Sequence, residues 1–117
     1  MVHQFELTKS QKKKARICIE KGLLKEFESG IERLESIIKD WRTTNADNRE
    51  TYHKLYSTLT NFDKKISKQY DGMTGSTYLF ILVVQLREGH ITQADIDEMD
   101  EIIVEKIKVI SSLYKLR

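Results

Sequence analysis

Leu24-Lys25-Glu26-Phe27-Glu28-Ser29-Gly30-Ile31-Glu32-Arg33-Leu34-Glu35-Ser36-Ile37-Ile38-Lys39-Asp40-Trp41 is the stretch whose reading decides the fold. Leu24, Phe27, Ile31, Leu34, Ile38 and Trp41 step by alternating threes and fours. A helix turns once in 3.6 residues, so this spacing draws one narrow apolar stripe along one face. Upstream, Thr8-Lys9-Ser10-Gln11 has the capping-box form, a hydroxyl residue with Gln three positions on. Helix 1 is therefore predicted over about 9–42, roughly 50 Å at 1.5 Å per residue. Gly22 and Gly30 lie inside it, where each costs about 1 kcal/mol relative to Ala and can mark either close helix approach or simple tolerance. The seam of Leu24, Phe27, Ile31, Leu34 and Ile38 can pack within the chain or across a dimer.

The polar break Thr43-Thr44-Asn45-Ala46 ends this helix, and Asp47-Asn48-Arg49-Glu50 opens the next with acidic groups at the positive end of its dipole. Helix 2, about 48–70, carries Tyr52, Leu55, Leu59, Phe62, Ile66 and Tyr70 at the same spacing. Asp71-Gly72-Met73-Thr74-Gly75 closes it. The run Tyr78 to Leu86 is apolar almost all round. It reads as a helix (about 76–88, ended by Gly89) because no second strand candidate exists to pair with it. A helix apolar on every side belongs in the centre of a core. Helix 4, about 93–115, opens on the capping box Thr92-Gln93-Ala94-Asp95, with Ile91 placed to staple onto Ile96. Its stripe is Ile96, Met99, Ile103, Ile107, Ile110 and Tyr114. The expected architecture is all-α over 1–117 as a single domain: about four helices, a long N-terminal helix plus a compact helical head, built to dimerise.

Composition narrows the function. The chain has no proline and five glycines, which removes the usual punctuation of sandwiches and barrels. A net charge of +2 demands neither a nucleic-acid nor a membrane partner. The longest apolar run is about half of the roughly 20 residues that span a bilayer, and Met1-Val2-His3-Gln4-Phe5-Glu6 has no signal-peptide form. The single Cys18 excludes an internal disulfide framework and reads as a small core residue. These features point to a cytoplasmic protein.

Site chemistry is sparse. His3, His53 and His90 are too scattered for a helical metal pair, and one cysteine makes no zinc pattern. The acidic run Asp95, Asp97, Glu98, Asp100, Glu101 reads as dipole complementation and a solvated face. Gly72-Met73-Thr74-Gly75-Ser76-Thr77 lacks the lysine and spacing of a phosphate loop, and it reads as a chain reversal with Ser76 or Thr77 capping. No nucleophile pairs with a base, so neither an enzyme nor a cofactor is expected. Two surfaces stand out. Trp41, Arg42, Tyr52, His53 and Tyr56 gather around the helix 1–2 turn, and Trp, Tyr and Arg favour interface hot spots. Lys9, Lys12, Lys13, Lys14 and Arg16 form a basic cluster that could meet nucleic acid.

Tyr70-Asp71 closes helix 2, Ser76 opens the apolar helix, and Arg87-Glu88-Gly89 ends it, with Leu55, Leu59 and Ile66 apolar upstream. In this order the segment from about 50 to 110 resembles the fluorescence recovery protein family, small dimeric all-helical regulators that act on the orange carotenoid protein of cyanobacteria. The resemblance implies a dimeric helical fold. The chain departs from the family where its functional surface carries a Trp, a His-Asp pair and an Arg: those positions hold His53, Tyr56, Ser57 and Asp63. The resemblance therefore extends to fold and dimer, with a different target. The resulting expectation is a non-enzymatic homodimeric adaptor or regulator that binds another protein; the alternative is a nucleic-acid-associated protein using the start of helix 1.

Overall fold

The computed structural model describes residues 6–115, with side chains as far as Leu113. His3 and the side chain of Tyr114 lie outside the described residues. The described chain is all helical: α1 Lys9–Thr44, α2 Asn48–Tyr70, α3 Tyr78–Glu88, α4 Gln93–Asp97 and α5 Glu101–Lys115. The predicted caps are formed. Thr8 N–H donates to Gln11 Oε1 (2.9 Å) and Gln11 N–H to Thr8 Oγ1 (3.1 Å). Asp47 Oδ2 accepts from Glu50 N–H at 2.9 Å. Thr92 and Asp95 make the reciprocal box at 2.8 and 3.2 Å. Gly89 takes the left-handed φ of +82° that ends α3, and His90 N–H donates to Gln85 O at 2.9 Å.

The count of four helices is corrected to five. The predicted fourth helix breaks at Glu98–Asp100 although no glycine or proline stands there. Unbroken, it would stack Asp95, Asp97, Glu98, Asp100 and Glu101 within two turns. The break gives Glu101 a fresh helix N-terminus, frees Asp100 to reach Lys14 Nζ (2.7 Å), and turns Met99 into the core. The capping expectation at Ser76 or Thr77 is corrected as well. Thr77 holds the N-cap position, but its hydroxyl donates back to Thr74 O (2.9 Å) and makes no side-chain cap.

The residues group into two compact units. One comprises the chain up to Lys25 and from Gly72 onward; the other is Glu26–Asp71. In the first, Ala15, Cys18 and Ile19 of α1, Leu79, Leu82 and Val83 of α3, Ile91 and Ile96 around the α4 cap, and Ile103, Ile107 and Ile110 of α5 are buried. The apolar α3 sits in this core as its composition requires, with Phe80 exposed among its apolar residues and Arg87 and Glu88 exposed at its end. Gly22 permits the α1–α3 approach: a Cβ there would lie 2.5 Å from Gln85 Nε2 and 2.8 Å from Ile91 Cγ2. Gln85 is fully buried and donates to the Ile19 carbonyl at 2.9 Å.

The second unit is an antiparallel hairpin of α1 and α2. Trp41 Nε1 donates to Asn48 Oδ1 (2.8 Å) at its turn, where Asn45 takes a positive φ of 57°. In its middle, a Cβ on Gly30 would meet the Phe62 ring at 2.7 Å. At its far end Tyr70 Oη donates to the buried Glu26 Oε1 at 2.7 Å, and Lys65 Nζ lies 3.7 Å from Glu26 Oε2.

Candidate interaction surface

The hairpin does not close on the predicted seam. The residues of α1 buried along the hairpin are Glu26 and Gly30, with Leu34, Ile37 and Trp41 half-buried beside them. At about 100° per residue, Phe27, Ile31 and Ile38 lie roughly 60–100° round the helix from that line. All three are exposed, Ile31 by 66%. Leu24, in the first unit, is exposed as well. Gly30 explains the rotation: only a residue without a side chain lets Phe62 seat against the backbone, and this close approach sets which line of α1 faces α2.

The same offset recurs on α2. Leu55, Phe62 and Ile66 are half-buried, Tyr52, Tyr56 and Leu59 are exposed, and none of its 23 residues is buried. Because the helices run antiparallel, the two displaced stripes fall on one side of the hairpin. Phe27, Ile31, Leu34 and Ile38 together with Tyr52, Tyr56 and Leu59 make one broad apolar face. Soluble chains rarely leave contiguous apolar patches of several hundred Å² without a use for them.

The five residues expected at the turn divide. Trp41 is held by Asn48, and the Arg42 guanidinium carbon stands 5.3 Å from its ring centroid, within cation–π range. His53 meets Tyr52 edge-on at 5.7 Å between centroids. Tyr52 and Tyr56 belong to the apolar face; Arg42 and His53 flank it.

The basic cluster is partly committed inside the first unit. Lys14 pairs with Asp100, and the stem of Lys12 covers Gly75, where a Cβ would lie 2.5 Å from Lys12 Cε. Lys9, Lys13 and Arg16 remain exposed at i, i+4, i+7 on one stripe. Further along, Lys21 Nζ sits 2.5 Å from Asp95 Oδ1. These ion pairs escaped the sequence reading. Their signal was a block of Lys at i, i+7 on α1 against an acidic block near residues 95–100.

A cavity of about 200 Å³ opens between Lys14, Ile17, Cys18, Lys21, Asp95, Glu98 and Met99. Burial pushes the Cys18 thiol up to about 11, the Asp95 carboxylate adds to this, and Lys21 opposes it. The Lys21 hydrogen bond, then the Thr92 backbone, hold the Asp95 carboxyl below its ordinary value. Lys14 does the same for Asp100. A thiol in that state is protonated at neutral pH and a poor nucleophile.

No protein-family model, curated protein or solved structure matches the chain. Among the described residues no helix is long and apolar enough to cross a membrane.

Proposed function

We propose that the chain is a non-enzymatic helical adaptor or regulator that acts as a homodimer and binds another protein. The observation that supports this reading is the apolar, aromatic-rich face left open on the hairpin, beside a turn carrying Trp41, Arg42 and His53. Apolar and aromatic groups presented on helices are the means by which helical proteins recognise one another. The reading rests also on the resemblance to the fluorescence recovery protein family, which implies a dimeric helical fold, and His53, Tyr56, Ser57 and Asp63 at its functional positions favour a different target.

Affinity capture of the full chain with and without nuclease tests it, followed by titration of the captured protein. Trp41→Phe with His53→Ala is expected to weaken that binding at least about tenfold with the helical circular dichroism unchanged. Unchanged affinity would remove the turn from the partner site.

The second reading, nucleic-acid association, draws on the exposed stripe of Lys9, Lys13 and Arg16. Three phosphate contacts imply an affinity that falls with salt at a log–log slope of about −3. Binding that ignores salt, or no binding of DNA or RNA, would exclude it.

A further inference from the structure

We propose that the cavity between α1 and the α4–α5 break binds a small organic cation, an ammonium group carried on an aromatic or short aliphatic stem. The site lies wholly within the first unit and is independent of the hairpin face and of the reading above.

Two short stretches build the cavity. Lys14, Ile17, Cys18 and Lys21 step by three, one and three, so α1 presents them within one arc of about 100°. Asp95, Glu98 and Met99 face them from α4 and the break that follows it. The break turns Met99 inward and leaves Glu98 exposed at the rim. The volume is about 200 Å³. An apolar cavity of about 150 Å³ holds a benzene ring, so this one has room for a ring and a short chain. The floor suits such a group. Cys18 and Met99 are buried there, and sulfur makes favourable contacts with aromatic rings. Ile17, 63% exposed, gives the mouth an apolar lip.

The charge at the mouth selects a cation. Lys14 is paired with Asp100 at 2.7 Å and Lys21 with Asp95 at 2.5 Å, so both ammonium groups are already matched. The Glu98 carboxylate has no ion pair or side-chain hydrogen bond among the described residues. The two pairs cancel, and one negative charge is left over. An anion would have to break a pair to be held, whereas a cation meets Glu98 directly. The Cys18 thiol senses the same field: after burial, Asp95 does most to push it up and Glu98 adds to this, against Lys21. An exposed carboxylate contributes only modestly to affinity. The apolar floor therefore holds the stem, and Glu98 decides the sign of the end group.

A nuclear magnetic resonance titration of the full chain at pH 7 tests this, with phenethylamine and phenylacetate as probes. They share a ring and carry opposite charges, the amine being protonated there as a lysine is. Phenethylamine is expected to shift the amide signals of Cys18, Lys21, Glu98 and Met99 saturably, with a roughly millimolar Kd, the range open to so small a ligand. Phenylacetate is expected to bind at least about fivefold more weakly. Glu98→Gln is expected to weaken phenethylamine about two- to fivefold without weakening phenylacetate. If Glu98→Gln disturbs the end of α4, Ile17→Lys supplies the same reading, since it adds a cation at an exposed position on the mouth. Phenylacetate binding as tightly as phenethylamine would overturn the choice of a cation and give the site to Lys14 and Lys21. Phenethylamine binding indifferent to these substitutions, or shifts confined to residues 26–71, would overturn the site itself. So would the absence of saturable shifts from either probe at about 20 mM.

Discussion

The two units solve the same packing problem to different depths. In the first, α3 is enclosed by α1 and α5, and Leu79, Leu82, Val83, Ile96, Ile103 and Ile110 reach essentially complete burial. In the hairpin, two helices meet along one line, and α2 buries no residue at all. An amphipathic helix with a single neighbour can cover only part of its apolar arc. The difference teaches that a long apolar seam does not itself announce a core. A partner on each side of the arc is needed, and within the hairpin each helix has only one.

The sharpest way to break this comparison is a pair of matched truncations. Leu82→Ala removes a fully buried side chain and is expected to lose about 2–5 kcal/mol in denaturant unfolding. Leu59→Ala, half exposed in the hairpin, is expected to lose under about 1 kcal/mol. Equal losses would mean that the hairpin is as fully packed as the first unit.

The two helical glycines sharpen it next. Gly22→Ala drives a Cβ against Gln85, which is fully buried and tied to the Ile19 carbonyl, so it is expected to cost about 1–2 kcal/mol net. Gly30→Ala meets the rim of the half-buried Phe62 ring, which can swing outward, and the gain in helix propensity of about 1 kcal/mol offsets the displacement. Thermal unfolding of the two variants separates the cases.

A smaller effect concerns pH. Asp95 and Asp100 have folded values below their ordinary 3.8. The unfolded chain therefore binds protons more readily, and the stabilisation is complete above the ordinary carboxylate range. It fades as the pH falls from about 4 through the depressed folded values. Hydrogen exchange is expected to show α4 loosening in acid before α2, and Asp95→Asn to remove much of that dependence. The smallest effect is chemical. Native Cys18 is expected to react with iodoacetamide at pH 8 at least about tenfold more slowly than in the unfolded chain, since its raised thiol holds little thiolate. Mass spectrometry of the labelled chain checks this.

What was legible in the sequence were features governed by neighbours a turn away. The Thr8–Gln11 and Thr92–Asp95 boxes, the Asp47 cap and the left-handed Gly89 are local, and each stands where it was read. The burial of α3 was legible because a helix apolar on all sides has one physical solution. The break at Glu98–Asp100 was not. Its cause is a lysine 86 residues away and a methionine turned inward, and neither leaves a breaker in the local sequence. The seam was legible, but which line of α1 meets α2 was not. Glu26 looks like a solvated residue until Tyr70 is brought to it, and Gly30 marks the contact line by lacking a side chain. The cluster around Trp41 was placed correctly at the turn, while Tyr52 and Tyr56 turned out to continue the apolar face of α1.

The first unit is assembled from the two ends of the chain, with Glu26–Asp71 inserted between them. Synthesis from the N-terminus therefore releases the complete hairpin before α3 exists. The hairpin can form from contacts close in sequence, while the early part of α1 must wait for a core still inside the ribosome. During that interval Ala15, Cys18 and Ile19 have no cover, and chaperones that shield apolar helices would act on the first residues of α1.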